Sequence, residues 1–312
     1  MSPHDPQTLR HDTVSFLSDY GHADEFVGVV HSVIHQLCPG VRIVDITHGV
    51  EPYDVRGGGL TLARSAQYLA PGVVVAVVDP GVGSTRRAVA VEVGGGASVL
   101  VGPDNGVLAP AVALVGGATR AVWLNNPEYQ LEAPGPLFDG RDVFAPAAAH
   151  LCRGVPLEEL GDLIEPAGLF PGIFPISEVG DDGMSCEVLW IDRYGNAQLN
   201  ADPSELDPLG DVFEVRVDGL ARTARRVHHF KELGTGTVGL VTDSYGFISL
   251  VCDRASAAEE LRLEPGHQVV LAPLDDETAA GSGAGVTTAV QLGARQGAGG
   301  GEGAGPGTGG SR

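Results

Sequence analysis

The residues Val73 to Val78 form an uninterrupted apolar run, VVVAVV, that ends at Asp79. A short run this rich in valine predicts a strand buried on both faces, as in the interior of a parallel sheet. Asp79 then lies at the carboxyl end of the strand, the edge at which open α/β sheets bind ligands. The loop that follows, PGVGSTRR, returns Arg86 and Arg87 towards the acid. An ordinary strand exit with a surface ion pair is the competing interpretation.

Strands and helices alternate along the first half of the chain. This alternation predicts an α/β N-terminal domain with a central, mostly parallel sheet. Two further runs around the glycines 94–96 predict a paired set of strands. The predicted strands are 13–17, 41–46, 73–78, 88–93, 98–101 and 121–124. The predicted helices are 24–37, 59–69, one that follows the loop 102–106 and runs through 115, and 143–151.

The second half changes character, because short β-like runs follow one another without long helices between them. Such runs, at 186–191, 212–217, 238–242, 247–251 and 268–271, predict a small antiparallel barrel or sandwich, and we take the β-barrel as the predicted fold. The predicted organisation is an N-terminal extension (1–12), the α/β domain (13–165), a linker rich in Pro and Gly (166–183), the β domain (184–275) and a flexible Gly-rich tail (276–312).

Composition excludes several classes of function. The formal net charge is −21 and Lys231 is the single lysine, which argues against binding to nucleic acid. No apolar run approaches the ~20 residues of a membrane span, and the polar N-terminus lacks a secretory signal, so we expect a cytoplasmic protein. The four cysteines are scattered without a CxxC pair, which is typical of buried thiols in a reducing compartment.

Acids and amides recur at turns after predicted strands. These residues are Asp19, Asp79, Asp104 with Asn105, Asp139, and Asp192 with Asn196. Their number favours a pocket for a polar small molecule that is cationic or rich in hydroxyl groups. His31 and His35 are four apart on a predicted helix, but no third ligand is visible in the sequence, so no metal site is predicted.

Seven segments, taken in order, resemble the S-adenosylmethionine hydroxide adenosyltransferases, the hydrolase relatives of the fluorinases and chlorinases. The segments are FLSDYG, ITHGVEPYDV, VVDPGVGSTRR, VGPDNGVL, FDGRDVFAP, IDRYGNAQLN and DSYGFISL. The resemblance implies an enzyme that hydrolyses S-adenosyl-L-methionine to adenosine and L-methionine, through attack of water on ribose C5′. It implies no metal or added cofactor, and a homotrimer with each site built between two subunits.

The resemblance also implies roles for individual residues. Asp79 and Arg86 correspond to two members of the group around the attacking water. Asp19 corresponds to the acid that holds the ribose hydroxyls, and Tyr53 to an aromatic ring that packs on the ribose. Asp24 and Asp192 are expected to face the methionine ammonium. The remaining residues implied for substrate binding are Asp104, Asn105, Tyr194, Asn196, Phe230, Ser244 and Tyr245.

One position departs from the family pattern. The hydrolases read FHGRD where this chain reads FDGRD, so Asp139 stands in the place of their histidine. We expect Asp139 to orient or deprotonate the water together with Arg86, although a carboxylate with an ordinary pKa of about 3.9 is a weak base at neutral pH. Two alternatives stay open: a transferase that uses halide, and a protein that binds S-adenosylmethionine or adenosine without turnover.

Overall fold

Two β-sheets organise the chain in a computed structural model that describes residues 9–172, 174–180 and 182–274. The predicted tail and the first eight residues of the predicted extension lie outside this part of the chain. The described residues up to Pro273 group into one compact unit, and the predicted domain boundaries therefore stay a prediction. No helix in the described part of the chain is long and apolar enough to span a membrane.

The first sheet has seven strands in the order β2-β1-β3-β5-β4-β6-β7. The neighbouring strands β2, β1, β3 and β5 pair in parallel. Beyond β5, the strands β4, β6 and β7 are joined by antiparallel pairs. The predicted α/β fold is thereby confirmed. The strands are β1 (Thr13–Ser18), β2 (Arg42–Thr47), β3 (Val73–Val77), β4 (Ala88–Val93), β5 (Ser98–Pro103), β6 (Ala118–Trp123) and β7 (Asp162–Ile164).

Helices cover both faces of this sheet, which explains why β1, β3 and β4 are buried along their whole length. One face packs against α1 and α4 around Phe16 and Phe144. The other packs against α2 and α3 around Leu17 and Val78. The helices are α1 (Phe26–Leu37), α2 (Val55–Ala66), α3 (Ala109–Leu114) and α4 (Ala145–Cys152).

The second sheet closes into a barrel of seven strands, because β9 pairs with both β15 and β10. All of its pairs are antiparallel except β12 with β13, and β8 extends the sheet beside β9. The predicted barrel is confirmed. Its elements are β8 (Glu178–Gly180), β9 (Gly183–Ile191), β10 (Ala197–Leu199), β11 (Val212–Val217), β12 (Leu220–Arg226), β13 (Val238–Thr242), β14 (Ile248–Cys252), the short helix α5 (Ala257–Leu261) and β15 (Gln268–Pro273).

Candidate active site

The carboxyl ends of three neighbouring parallel strands carry the acids that the sequence singled out. Asp19 follows β1, Asp79 follows β3 by two residues, and Asp104 follows β5. Because β1 and β5 both flank β3, the three acids share one edge of the sheet. The backbone N–H of Asp19 donates to the carbonyl of Val77 at 3.3 Å, which ties the exits of the two central strands together.

Arg86 joins two carboxylates at this edge. Its Nε donates to Asp79 Oδ1 at 3.1 Å while its Nη2 donates to Asp79 Oδ2, so this pair is bidentate. The same Nη2 donates to Asp139 Oδ2 at 2.5 Å. One planar guanidinium therefore fixes two acids that lie far apart in the sequence, a geometry that a point charge could not supply.

This cluster is largely removed from solvent. The side chains of Asp79, Arg86 and Asp139 are 6, 8 and 19% exposed. Burial raises the pKa of the Asp79 carboxyl, although the nearby charge of Arg86 opposes that shift. Arg86 Nη1 is buried and has no hydrogen-bond partner within the described chain, so one donor of the guanidinium is free for a ligand.

Asp139 is placed by a tight fit around Gly140. Asp139 precedes a π-helical turn, Gly140–Phe144, which continues into α4. A Cβ at Gly140 would lie 2.3 Å from the Tyr20 hydroxyl, so only glycine allows this approach. A π-helical turn is unusual and often lies at a functional site.

Tyr20 is the neighbour of the cluster that the sequence reasoning missed. Its ring packs edge-on against Phe16 and Phe138, and burial raises the pKa of its hydroxyl far above the ordinary value. Asp19, Asp79 and Asp139 add to that shift through their charges, which places the hydroxyl within their field. The signal was available, since Tyr20 lies inside the quoted segment FLSDYG.

Asp19 and Tyr53 meet as neighbours in space. Asp19 Oδ2 accepts from the backbone N–H of Tyr53 at 3.0 Å, and Tyr53 has a positive φ of 70° and is 74% exposed. A non-glycine residue at this φ is uncommon and marks a constrained loop. Asp24 is exposed just before α1 and makes no side-chain hydrogen bond within the described residues.

The side chains of Asp104 and Asn105 form hydrogen bonds with other residues of the protein. Asp104 Oδ2 accepts from Arg87 Nε at 2.9 Å, and its Oδ1 accepts from the backbone N–H of Phe170 at 2.7 Å. Asn105 Nδ2 donates to the carbonyl of Val78 at 2.8 Å. These contacts brace the loops beside Asp79, and the substrate-binding role of the two residues stays a prediction.

Two loops of the barrel share one construction. Asp192 Oδ1 accepts from the backbone N–H groups of Tyr194 and Asn196 at 2.8 and 2.9 Å. Asp243 Oδ1 likewise accepts from Tyr245 at 2.8 Å and from the residue two further on. Both acids therefore fold the loops that present the tyrosines. The predicted residues Tyr194, Phe230, Ser244 and Tyr245 are exposed.

The barrel residues do not reach the Arg86 cluster within one chain. Tyr245 instead lies near Arg64 of α2, whose guanidinium carbon is 6.0 Å from its ring centre and 4.3 Å from that of Trp190. Across the described residues, no hydrogen bond, ion pair or ring contact joins the predicted barrel residues to Asp79, Arg86 or Asp139. The structure thus brings together one part of the predicted site and leaves the other part separate.

A second polar cluster lies beside the end of β2. His31, Asp45 and His48 bring one ligand atom each to within 4.8 Å of one another, a spacing that could hold a metal ion. The exposed His35, which the sequence paired with His31, does not belong to it. Asp45 and His48 were missed because neither has a metal-type spacing from His31 along the chain.

Comparisons with known proteins identify relatives of this chain. The models for the SAM hydroxide adenosyltransferase N-terminal and C-terminal domains match residues 14–161 and 186–270. The (R)-S-adenosyl-L-methionine hydrolase of Salinispora tropica is 41% identical over 256 residues, 82% of this chain and 96% of that protein. A fluorinase of Nocardia brasiliensis is 27% identical over 290 residues, 83% of this chain and 96% of its own.

The fold is also similar to a solved structure. The crystal structure of an uncharacterised conserved protein from Thermotoga maritima matches with a TM-score of 0.77 and 32% identity, covering 83% of this chain and 99% of that one. The sequence segments, the two-sheet fold and these relatives agree. The chain belongs to the SAM hydroxide adenosyltransferase family.

Proposed function

We propose that this protein is a hydrolase that converts S-adenosyl-L-methionine and water to adenosine and L-methionine. The observation that carries the proposal is the buried cluster of Asp79, Arg86 and Asp139, which leaves Arg86 Nη1 as a free donor at the ligand-binding edge of the sheet. The family and the 41% identical hydrolase support the substrate. A water molecule is the small polar nucleophile that such a donor can hold beside a carboxylate.

The chemistry needs a nucleophile more than it needs an acid. Water oxygen forms the new bond to C5′ as the bond from C5′ to sulfur breaks, and the electron pair stays on sulfur as the methionine thioether. A sulfonium is already a good leaving group, so neither a general acid nor a cofactor is required for this step. In the mechanism, Asp79 takes the proton from water, and its raised pKa makes it a better base than an ordinary aspartate.

Charge and position supply the remaining acceleration. Arg86 holds both carboxylates in fixed positions, which aligns the water for attack opposite sulfur. A hydroxide-like nucleophile and a sulfonium cancel charge as they approach, so a site closed to water favours the transition state. The low exposure of the three side chains is consistent with such a site.

The alternatives are disfavoured by the same cluster. Two carboxylates around one guanidinium carry a net charge of −1, which repels an incoming halide and attracts a cationic substrate. Asp139 is therefore proposed as the residue that orients water where hydrolase relatives carry histidine. Binding without turnover is the second alternative, and the experiment below tests it.

The substrate contacts are proposed on both sheets. Asp19, next to the Tyr53 backbone, is suited to the paired ribose hydroxyls, and Asp24 offers an exposed carboxylate to the ammonium. Asp104 and Asn105 complete the first set. The barrel supplies Asp192, Tyr194, Asn196, Phe230, Ser244 and Tyr245 to the adenine and methionine ends.

We infer that the second set comes from a neighbouring subunit of a homotrimer. The inference is supported by the separation of the two sets within one chain and by the exposure of Tyr194 and Phe230, which are 73 and 43% exposed. We also propose a cytoplasmic location, because all four cysteines are buried and free, as expected in a reducing compartment.

One incubation separates the three functions. The protein is given S-adenosyl-L-methionine in isotopically labelled water, with and without fluoride or chloride, and the products are analysed by mass spectrometry. Labelled oxygen in the 5′-hydroxyl of adenosine is the expected result. A 5′-halo nucleoside would show a transferase that uses halide, and tight binding without either product would show a binding protein.

A further inference from the structure

Three side chains from separate elements converge beside the end of β2. His31 lies on α1, Asp45 lies within β2, and His48 follows that strand. His31 Nε2 is 2.9 Å from Asp45 Oδ1, and His48 Nε2 is 3.1 Å from the same oxygen. A zinc ion with bonds of 2.0–2.1 Å places the ligand atoms of a tetrahedron about 3.3 Å apart, which these distances approach.

The orientation of His48 is the second observation. Its side chain is fully buried, and its Nδ1 lies 2.7 Å from the Ser18 hydroxyl. Its Nε2 has no hydrogen-bond partner within the described chain, although Asp45 Oδ1 lies 3.1 Å away. In the tautomer whose Nδ1 proton bonds to serine, Nε2 carries a lone pair and no proton. A buried, unprotonated ring nitrogen without a hydrogen-bond partner is available to bind a metal ion.

We propose that His31, Asp45 and His48 bind a zinc ion, with water as the fourth ligand. His31 and Asp45 are 28 and 39% exposed, so the open position faces solvent and the ion can enter from that side. Ser18 acts as a positioning residue that fixes the ring of His48, as the partners of metal-bound histidines usually do.

The donor set selects the type of metal. Two imidazole nitrogens and one carboxylate suit zinc and its transition-metal neighbours. Calcium and magnesium take oxygen ligands almost exclusively, so they are disfavoured at this cluster. Within this group we propose zinc, because three protein ligands and one water complete its tetrahedral coordination.

The zinc would hold two loops of the proposed active site. The carbonyl of His48 accepts from the backbone N–H of Gly21 at 2.8 Å, so the site connects the segment after β2 with the segment after β1. That first segment leads to Tyr53, whose N–H bonds to Asp19. The ion would therefore act as a structural centre that is linked to Asp19, the predicted ribose-binding acid, through these loops. It takes no part in the bond changes at C5′.

The test measures metal binding directly. Full-length protein is stripped with a chelator and titrated with zinc, and zinc content is measured by mass spectrometry after desalting. Cobalt is added separately, because tetrahedral cobalt gives a visible absorption spectrum that reports its ligands. His31→Gln and Asp45→Asn remove ligands, while His35→Gln is the matched control, an exposed histidine one turn further along the same helix.

The expected result is one zinc per chain in the wild type and in His35→Gln, with a tetrahedral cobalt spectrum in both. Zinc affinity should fall more than about 100-fold in His31→Gln and Asp45→Asn, and about 10- to 100-fold in Ser18→Ala. Circular dichroism verifies that each variant is folded. The proposal is overturned if folded wild type takes up no more zinc than Asp45→Asn, or if His35→Gln loses zinc as His31→Gln does.

Discussion

Replacement of Arg86 by lysine separates the geometry of the cluster from its charge. Arg86 donates to both oxygens of Asp79 and to Asp139, and keeps Nη1 free. An ammonium group keeps the positive charge but cannot span two oxygens of one acid, reach the second acid and also present a donor to water. Arg86→Lys should therefore leave the attacking water poorly oriented, while the binding of S-adenosyl-L-methionine is preserved.

The size of the effect follows from the bonds lost. A hydrogen bond to a charged group contributes about 1.5–3 kcal/mol, and we assign the loss of one such bond to the transition state. Since about 1.36 kcal/mol is a tenfold change in rate, kcat should fall about 10- to 150-fold. KM should change less than about threefold, because the lost bond orients water and not the nucleoside.

The assay is the initial rate of adenosine release, separated by chromatography, over a range of substrate concentrations. Arg120→Lys is the matched control, because Arg120 also bridges two carboxylates, with Nη2 2.6 Å from Glu92 and Nη1 3.1 Å from Glu158. That variant should keep the wild-type kcat. Equal losses of kcat in both variants, or a rise in KM that matches the fall in kcat for Arg86→Lys, would refute the reasoning.

Three further predictions test the same cluster. Asp139→Asn should lower kcat about tenfold or more, because a neutral amide cannot replace the charge-assisted hydrogen bond from Arg86 to the carboxylate. Asp139→His should keep or raise kcat. An unchanged kcat in the asparagine variant would exclude the proposed role. Gly140→Ala should lower kcat and should lower the free energy of unfolding by about 1–3 kcal/mol, because the new methyl group displaces Tyr20. Gly135→Ala is the control: a Cβ there meets nothing within 4 Å, so neither quantity should change in the same assays. The acid limb of the profile of kcat/KM against pH should lie above the ordinary aspartate pKa of about 3.9, because protonation of Asp79 removes the base; a limb at or below that pH would contradict the assignment.

The sign of the Asp79 shift also fixes its effect on folding. Its folded-state pKa is raised by burial, so its contribution to the free energy of unfolding is fully present below the unfolded pKa of about 3.9. That contribution is lost as pH rises through the higher folded-state pKa. At neutral pH the buried carboxylate therefore costs stability, which is consistent with a residue retained for catalysis.

The sequence predicted the α/β half well because burial dominates there. The apolar run before Asp79 forms a strand in which every residue is buried, and the helices of this half have clear apolar faces. In the barrel, β12 was missed because LARTARR carries three arginines and largely exposed side chains. β10 was missed because three residues are too few to show alternation. Both depend on neighbouring strands for their conformation.

The site was predicted in part, and each gap has a physical cause. Asp79 and Arg86 lie in one segment, and a family resemblance brought in Asp139. The Gly-rich loop between the first two has an additional structural reason: Gly83 has a positive φ of 76°, and a Cβ there would lie 2.9 Å from the Pro136 carbonyl. No spacing rule predicts Tyr20 above Gly140, because this contact depends on how two loops pack.

The division of predicted residues between the two sheets leads to a test of shared sites. Asp79→Asn should inactivate the site at the sheet edge, and Tyr194→Ala should weaken the barrel side, where Tyr194 is 73% exposed. If each site uses the sheet of one subunit and the barrel of its neighbour, random mixing of the two variants in equal amounts gives about one quarter of the sites two intact halves.

The measurement is adenosine release after the variants are unfolded together and refolded, with each variant refolded alone as the control. Activity near one quarter of the refolded wild type, and above the mean of the two variants refolded alone, would support sites between subunits. Activity no higher than the mean of the two separate variants would place each site within a single chain, because mixing could not then join an intact sheet edge to an intact barrel.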